Sequence, residues 1–179
     1  MFVRKVTMEN SQMRSFPSVT ITAAVALALL GAAVDRVSAQ AHWTDGKKRL
    51  QLTLPAGWNE ELQTEALVQF EGPSGSSLII FINPATGAPA QALEAKRASL
   101  VRDNRGTTYK FGPIADVRVG VEPGKSFEFA TVPRSQPNAA PQSYSTTFVS
   151  RGNTQYEFMF TSPRRGVVEA FLRSVVFLK

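Results

Sequence analysis

Cysteine is missing from the 179 residues, and histidine occurs once, as His42. The first absence excludes disulfides and a lipid-modified N-terminal cysteine, so stability has to come from an ordinary apolar core. The two together exclude zinc sites of the usual His and Cys type. Any Ser-His-Asp or Cys-His arrangement would have to be built around His42 alone. Neither a GxxxxGK(S/T) nor a GxGxxG phosphate loop occurs. Acidic residues are few, 14 against 20 lysines and arginines, which gives a net charge of +6. No nucleic-acid recognition motif accompanies that excess, and nucleic acid is not an expected partner. The basic groups Lys47-Lys48-Arg49, Lys96-Arg97 and Arg164-Arg165 read as solvated surface. The sharper reading is weak contact with an anionic membrane surface or envelope polymer.

Long apolar runs are also scarce. The principal one, Val19 to Val34, follows Arg4, Lys5 and Arg14 and is closed by Asp35-Arg36. It falls short of the roughly 20 apolar residues a membrane span needs. A basic start, a short apolar run and the small residues of Val37-Ser-Ala39 and Ala39-Gln-Ala41 make a secretory signal peptide, with an uncleaved anchor as the alternative. Residues 1–41 are therefore expected to be an address, cut after Ala39 or Ala41, and residues 42–179 a single domain. The 138 residues beyond Ala41 carry 16 basic and 12 acidic side chains, a net charge of +4. The working compartment is expected to be periplasmic or extracellular.

Arg49 to Leu54 alternates polar and apolar residues, as a strand with one buried face does, and Pro55-Ala-Gly-Trp58 ends it. Ala66 to Phe70 reads as a second strand. Leu78-Ile-Ile-Phe-Ile82 is apolar throughout, so both faces of its sheet should be covered. Ala90 to Asp103 has helical composition, with Ala90, Leu93, Leu100 and Val101 on one stripe. Asp116 to Val121 and Ser126 to Ala130 alternate around the turn signal Pro123-Gly124. Tyr144 to Val149 and Gln155 to Phe160 read as a hairpin through Arg151-Gly-Asn153, with Tyr156, Phe158 and Phe160 facing the core. Ser162-Pro163 is expected to cap a helix whose apolar face is Val167, Val168, Phe171 and Leu172, before a last strand from Val175. The fold class is α+β: an α/β/α sandwich in which a mainly antiparallel, twisted sheet is covered by helices on both faces.

Few residues offer chemistry. Cleavage after Ala39 would leave Gln40-Ala41-His42, whose amine, two backbone nitrogens and imidazole can surround copper(II) or nickel(II) in a square plane. Cleavage after Ala41 leaves His42 first, with amine and imidazole only, and a histidine without a role is the plainer reading. Glu60-Glu61 after Trp58 invites a carboxylate-pair site, although adjacent acids at a strand end are ordinarily solvated. Arg97 falls in the middle of the helical stripe. Either its stem covers apolar surface while the guanidinium reaches water, or it is held toward an anionic ligand.

Leu50-Gln-Leu-Thr-Leu-Pro-Ala-Gly-Trp58 resembles the opening strand of the PsbP/DcrB superfamily, which ends in a Pro-x-Gly-Trp turn. Tyr156-Glu-Phe-Met-Phe-Thr-Ser-Pro163 through Phe171-Leu-Arg-Ser-Val-Val-Phe177 is similar to that family's closing strand, helix and strand. The resemblance implies an α/β/α sandwich and a protein that works by binding a partner, with no catalytic set or cofactor to carry over. Members include an extrinsic photosystem II subunit, a Ran-binding release factor and bacterial envelope proteins. Pro55, Gly57 and Trp58 are the matching residues, and they are expected to form the fold.

The expectation is a secreted, non-enzymatic accessory protein without a cofactor, bound to another envelope protein or complex. Trp58, Tyr109, Phe111 and the Pro133–Pro141 loop are its candidate contacts, each with a structural role as the plainer alternative. A small-ligand carrier is the rival, with Arg97 or Arg118 meeting an anionic group in a cleft between sheet and helix.

Overall fold

Alternation in the sequence becomes pairing in the structure, a computed structural model that describes residues 41–178. The expected signal peptide lies outside the described residues, apart from Ala41. β1 (Ala41–Thr44), β2 (Leu50–Leu54) and β11 (Val176–Phe177) form a three-stranded sheet in the order β1-β2-β11. A second sheet of eight strands runs β3 (Asn59–Gln63), β4 (Leu67–Glu71), β5 (Ser77–Pro84), β10 (Thr154–Thr161), β9 (Gln142–Arg151), β8 (Glu122–Pro133) and β6 (Thr107–Phe111). β7 (Ala115–Val119) also pairs with β8, beyond the end of β6. All these pairings are antiparallel. The helices are α1 (Pro89–Asp103) and α2 (Arg165–Ser174).

The period of two along each strand divides the large sheet into two faces. On one, Val68, Phe70, Leu78, Ile80, Val149, Tyr156, Phe158 and Phe160 meet Leu50, Leu52 and Leu54 of the small sheet and Phe171 and Leu172 of α2. On the other, Phe127, Phe129 and Phe148 pack under Leu93 of α1, with Tyr109, Phe111 and Tyr144 around them. Leu78, Ile80 and Ile82 of β5 are buried in the first cluster, whereas Ile79 and Phe81 on its other face are only half-buried, with Lys96 Nζ 5.5 Å from the Phe81 ring. The double cover expected of this apolar run is therefore partial. The molecule is α+β with antiparallel sheets, and the expected single sheet is corrected to two: α1 lies over one face of the larger sheet, and α2 shares the other with the small sheet. Much of the first face is covered by β1, β2 and β11, whose short strands leave little sequence signal.

Three local expectations are corrected as well. Pro123-Gly124 is no turn: both residues lie in β8, and the chain reverses at Gly120-Val121, between the paired Val119 and Glu122. Gly124 is a glycine because a Cβ there would lie 2.8 Å from Phe148 O, so it permits close approach of β8 and β9. Ser162 does not cap α2. It sits at φ +50°, Arg164 holds the cap position, and no side chain caps the helix. Val101 leaves the apolar stripe of α1 and is 55% exposed, while Ala92, Leu93 and Leu100 pack inward on the second cluster.

Candidate functional site

The Pro55-x-Gly57-Trp58 turn shows why its residues are needed. Gly57 takes φ +79°, where L side chains are strained, and Trp58 N–H donates to Pro55 O at 3.2 Å. The Trp58 ring then drops into the core, edge-on to Phe171 at 4.8 Å, and covers Gly72 so closely that any Cβ there would strike it. Trp58 is 7% exposed, and what remains accessible lines a slot of about 210 Å³. Pro55, Pro73 and Pro163 form much of its wall, Phe160, Val167 and Val168 add to it, and Arg164 stands at its rim.

A larger cleft of about 910 Å³ opens on the other side of the α2 N-terminus. Its floor is the polar half of β8 and β9: Ser126, Glu128, Ala130, Ser143 and Ser145. Val168 and Leu172 of α2 form one wall, and Lys110 with Gly112-Pro113 forms the other. Arg165 and Glu169 pair across one helical turn at 3.1 Å, and Glu169 also reaches Arg173 at 3.6 Å. Asp116 pairs with Lys125 at 2.6 Å. Lys110 and Glu128, both exposed, have no ion-pair partner among the described residues. The cleft therefore offers one cation, one anion and a row of small hydroxyls beside an apolar wall. Pro163 and Val168 line both concavities, so slot and cleft adjoin across the start of α2.

Of the residues singled out from sequence, Arg97, Tyr109 and Phe111 meet on the α1 side of the large sheet, and the others stand apart. Arg97 lies on the α1 side of the sheet. Its guanidinium stacks over Phe127 at 4.7 Å and Phe111 at 5.4 Å, and its Nη2 donates to Gly112 O. Its Nε is buried with no partner among the described residues. The guanidinium that composition sent to water is thus spent on fastening α1 to the link between β6 and β7. Arg118 Nη1 donates to Val121 O at 3.0 Å and braces the β7–β8 turn. Tyr109 stacks on Phe111 at 5.7 Å in the second core cluster; burial, helped by Tyr144, pushes its hydroxyl above the ordinary tyrosine value. Phe111 packs in that same cluster and also lines the cleft. The Pro133–Pro141 loop is largely exposed.

His42, first or third in the chain after the expected cleavages, is in β1 opposite Thr53, with Nδ1 3.3 Å from Thr53 Oγ1. Glu60 accepts a hydrogen bond from the Trp43 indole and ties β1 to β3, while Glu61 is exposed. Among the described residues no three His, Cys, Asp or Glu side chains gather where they could hold a metal.

Lys110, Ser126, Glu128, Ser143 and Ser145 were not anticipated. Their signal was present in the alternation of Ser126-Phe-Glu-Phe-Ala130, whose polar positions read as facing solvent. They face a cleft because α2, some forty residues later in the chain, rises beside them.

No family model matches the sequence, and no curated protein matches it either. Solved structures do match in fold. CyanoP, the cyanobacterial PsbP of Synechocystis, superposes with a TM-score of 0.61 at 10% identity, over 83% of this chain and 99% of its own. The Ran-binding protein Mog1p of Saccharomyces cerevisiae gives 0.56 at 9% identity, over 77% and 95%. A Bacteroides thetaiotaomicron protein gives 0.53 at 16% identity, over 78% of this chain and 49% of its own. The fold is the PsbP-like one that the Pro-x-Gly-Trp turn suggested.

Proposed function

We propose that this protein is a secreted, non-enzymatic binding module whose partner, another envelope protein or complex, occupies the cleft between α2 and β6–β9. The observation that carries the reading is the cleft itself: about 910 Å³, open, apolar on one wall, with Lys110 and Glu128 left unpaired among the described residues. Such a mixture suits a protein surface, where an apolar patch supplies affinity and unpaired charges at its rim supply orientation. A fold shared with a protein that binds Ran adds modest support, because fold alone does not fix function. The single histidine and absent cysteine narrow the catalytic alternatives. Secretion rests on the basic and apolar N-terminal sequence, with a domain beginning at Gln40 or His42. Phe111 lines the cleft and Arg97 fastens Gly112 of its wall, Trp58 lines the adjoining slot, and Tyr109 and Arg118 brace the strands beside it. His42 is left as a weak copper(II) or nickel(II) ligand at a processed terminus.

Chemical crosslinking in intact cells, using the full-length chain, tests the reading. Lys110→Glu and Glu128→Lys are expected to lower recovery of one specific partner at least about tenfold, the change that 1.4 kcal/mol produces. Arg105→Glu, on an exposed turn, should leave recovery unchanged. Equal recovery with all three variants would remove the cleft from the interface.

A second reading has its own support. The cleft volume lies within the roughly 300–1,000 Å³ of small-ligand sites, and serine hydroxyls with Lys110 could hold a small anion-bearing molecule. Native mass spectrometry separates the two: extra mass lost on denaturation favours the carrier, whereas a bare chain favours the partner-binding module.

A further inference from the structure

The slot beside Trp58 differs from the cleft in size and character, and the difference identifies an occupant. At about 210 Å³ it is smaller than the roughly 300 Å³ at which small-ligand sites begin, and it matches one large side chain. Three prolines and Trp58 form stiff walls with little rotamer freedom to lose. A rigid pocket that accepts a single aromatic or aliphatic anchor is how protein interfaces concentrate affinity.

The charge around the slot selects the sequence on either side of that anchor. Arg164 and Arg165 stand at the N-terminus of α2, whose first turn holds no acidic residue and no side-chain cap. Positive charge there opposes the helix dipole, so the bare protein pays for it. Arg165 has Glu169 at 3.1 Å, but exposed Arg164 has no acid partner among the described residues and lines the slot. Carboxylates beside the anchor would neutralise this charge and align with the dipole.

We infer that the Trp58 slot takes one large apolar side chain, aromatic or leucine-like, from a partner segment with acidic residues flanking it, Arg164 reading the carboxylate. The inference rests on the partner-binding reading and extends it. Because slot and cleft adjoin at Pro163 and Val168, one continuous segment can fill the slot and continue into the cleft.

The test uses defined peptides and isotope-labelled full-length protein followed by NMR. Acetyl-Glu-Phe-Glu-amide is expected to shift the Trp58 indole resonance and the Val167 and Val168 amides, in the millimolar range. Acetyl-Glu-Ala-Glu-amide and acetyl-Lys-Phe-Lys-amide should bind at least about tenfold more weakly. Ala56→Phe, which fills the slot from an exposed turn position, should abolish the shifts without altering the rest of the spectrum. Arg164→Glu should reverse the preference toward the lysine peptide. Equal shifts from the phenylalanine and alanine peptides, no shifts at all, or shifts that survive Ala56→Phe would overturn the inference. If those outcomes accompany partner recovery that is still lost in Lys110→Glu, the slot assignment fails while the cleft reading stands. If peptides bind but Lys110→Glu leaves recovery intact, the cleft reading fails and the slot assignment survives.

Discussion

Asp45 is an acid almost without solvent, 1% exposed, in the loop between β1 and β2. Burial alone would raise its pKa, but Arg49 opposes this with two side-chain bonds, from Nε at 2.7 Å and Nη2 at 2.9 Å, and with its backbone N–H at 3.2 Å. The balance holds the carboxyl below its ordinary 3.8. A depressed folded-state value means that the carboxylate stabilises the fold above the unfolded value and ceases to do so as pH falls through the folded one. The wild-type Tm should therefore drop more steeply below about pH 4 than that of Asp45→Asn, a difference that thermal melts from pH 7 to pH 2 would show. At neutral pH Asp45→Asn is expected to cost about 2–4 kcal/mol, because Asn keeps one acceptor oxygen but turns an NH2 donor toward Arg49 or Gln63 and leaves the guanidinium without its buried counter-charge. Equal Tm values at pH 7 would show the pair to be inert. Gly120 makes a second demand at this scale. It takes φ +58°, its N–H donates to Leu172 O at 2.6 Å at the end of α2, and a Cβ would lie 2.1 Å from Val175 O. Gly120→Ala combines left-handed strain with a backbone clash, and a loss of about 3 kcal/mol or more is expected in urea unfolding.

Elements were legible where composition is lopsided and hidden where it is not. The run Leu78–Ile82, the helical stretch ending at Asp103 and the aromatic strand Tyr156–Phe160 announced themselves. β3, Asn-Glu-Glu-Leu-Gln, did not, because it is an edge strand almost entirely exposed, and edge strands are kept polar to discourage pairing with other chains. β1 has four residues, of which only Trp43 is buried. β6 carries aromatics that read as contact candidates because nothing in the sequence says that α1 lies over them. Arg97 joins these pieces, since its fork reaches Gly112 O where β6 gives way to β7. Arg97→Lys keeps the charge and loses the planar fork over Phe127. It should cost about 1–2 kcal/mol and speed amide exchange at Gly112, whose N–H is bonded to Glu128 O at 2.8 Å. Unchanged exchange at Gly112 would mean that the contact does not hold this junction.

At the scale of the whole molecule, the two core clusters lie back to back on shared strands. β9 gives Val149 to one and Phe148 to the other, and its neighbours continue the division, with Phe158 of β10 in the first and Phe127 of β8 in the second. The cleft belongs to this scale too, which is why the sequence concealed it: its floor and its wall come from segments that only the completed fold brings together. Because β9 sends a side chain into each cluster and pairs with both β8 and β10, losing either cover loosens the strands that hold the other. Unfolding should therefore be one cooperative transition despite the two clusters. Phe127→Ala and Phe158→Ala, at 2% and 1% exposure, should each cost about 3–5 kcal/mol. For a domain of this size that lowers Tm by roughly 10 °C. In both variants near-UV and far-UV circular dichroism should report the same midpoint, because neither cluster is able to melt alone. If the midpoints separate in Phe127→Ala and coincide in Phe158→Ala, α1 and its aromatic cluster form an independent unit, and the region opposite the cleft is free to move without disturbing it.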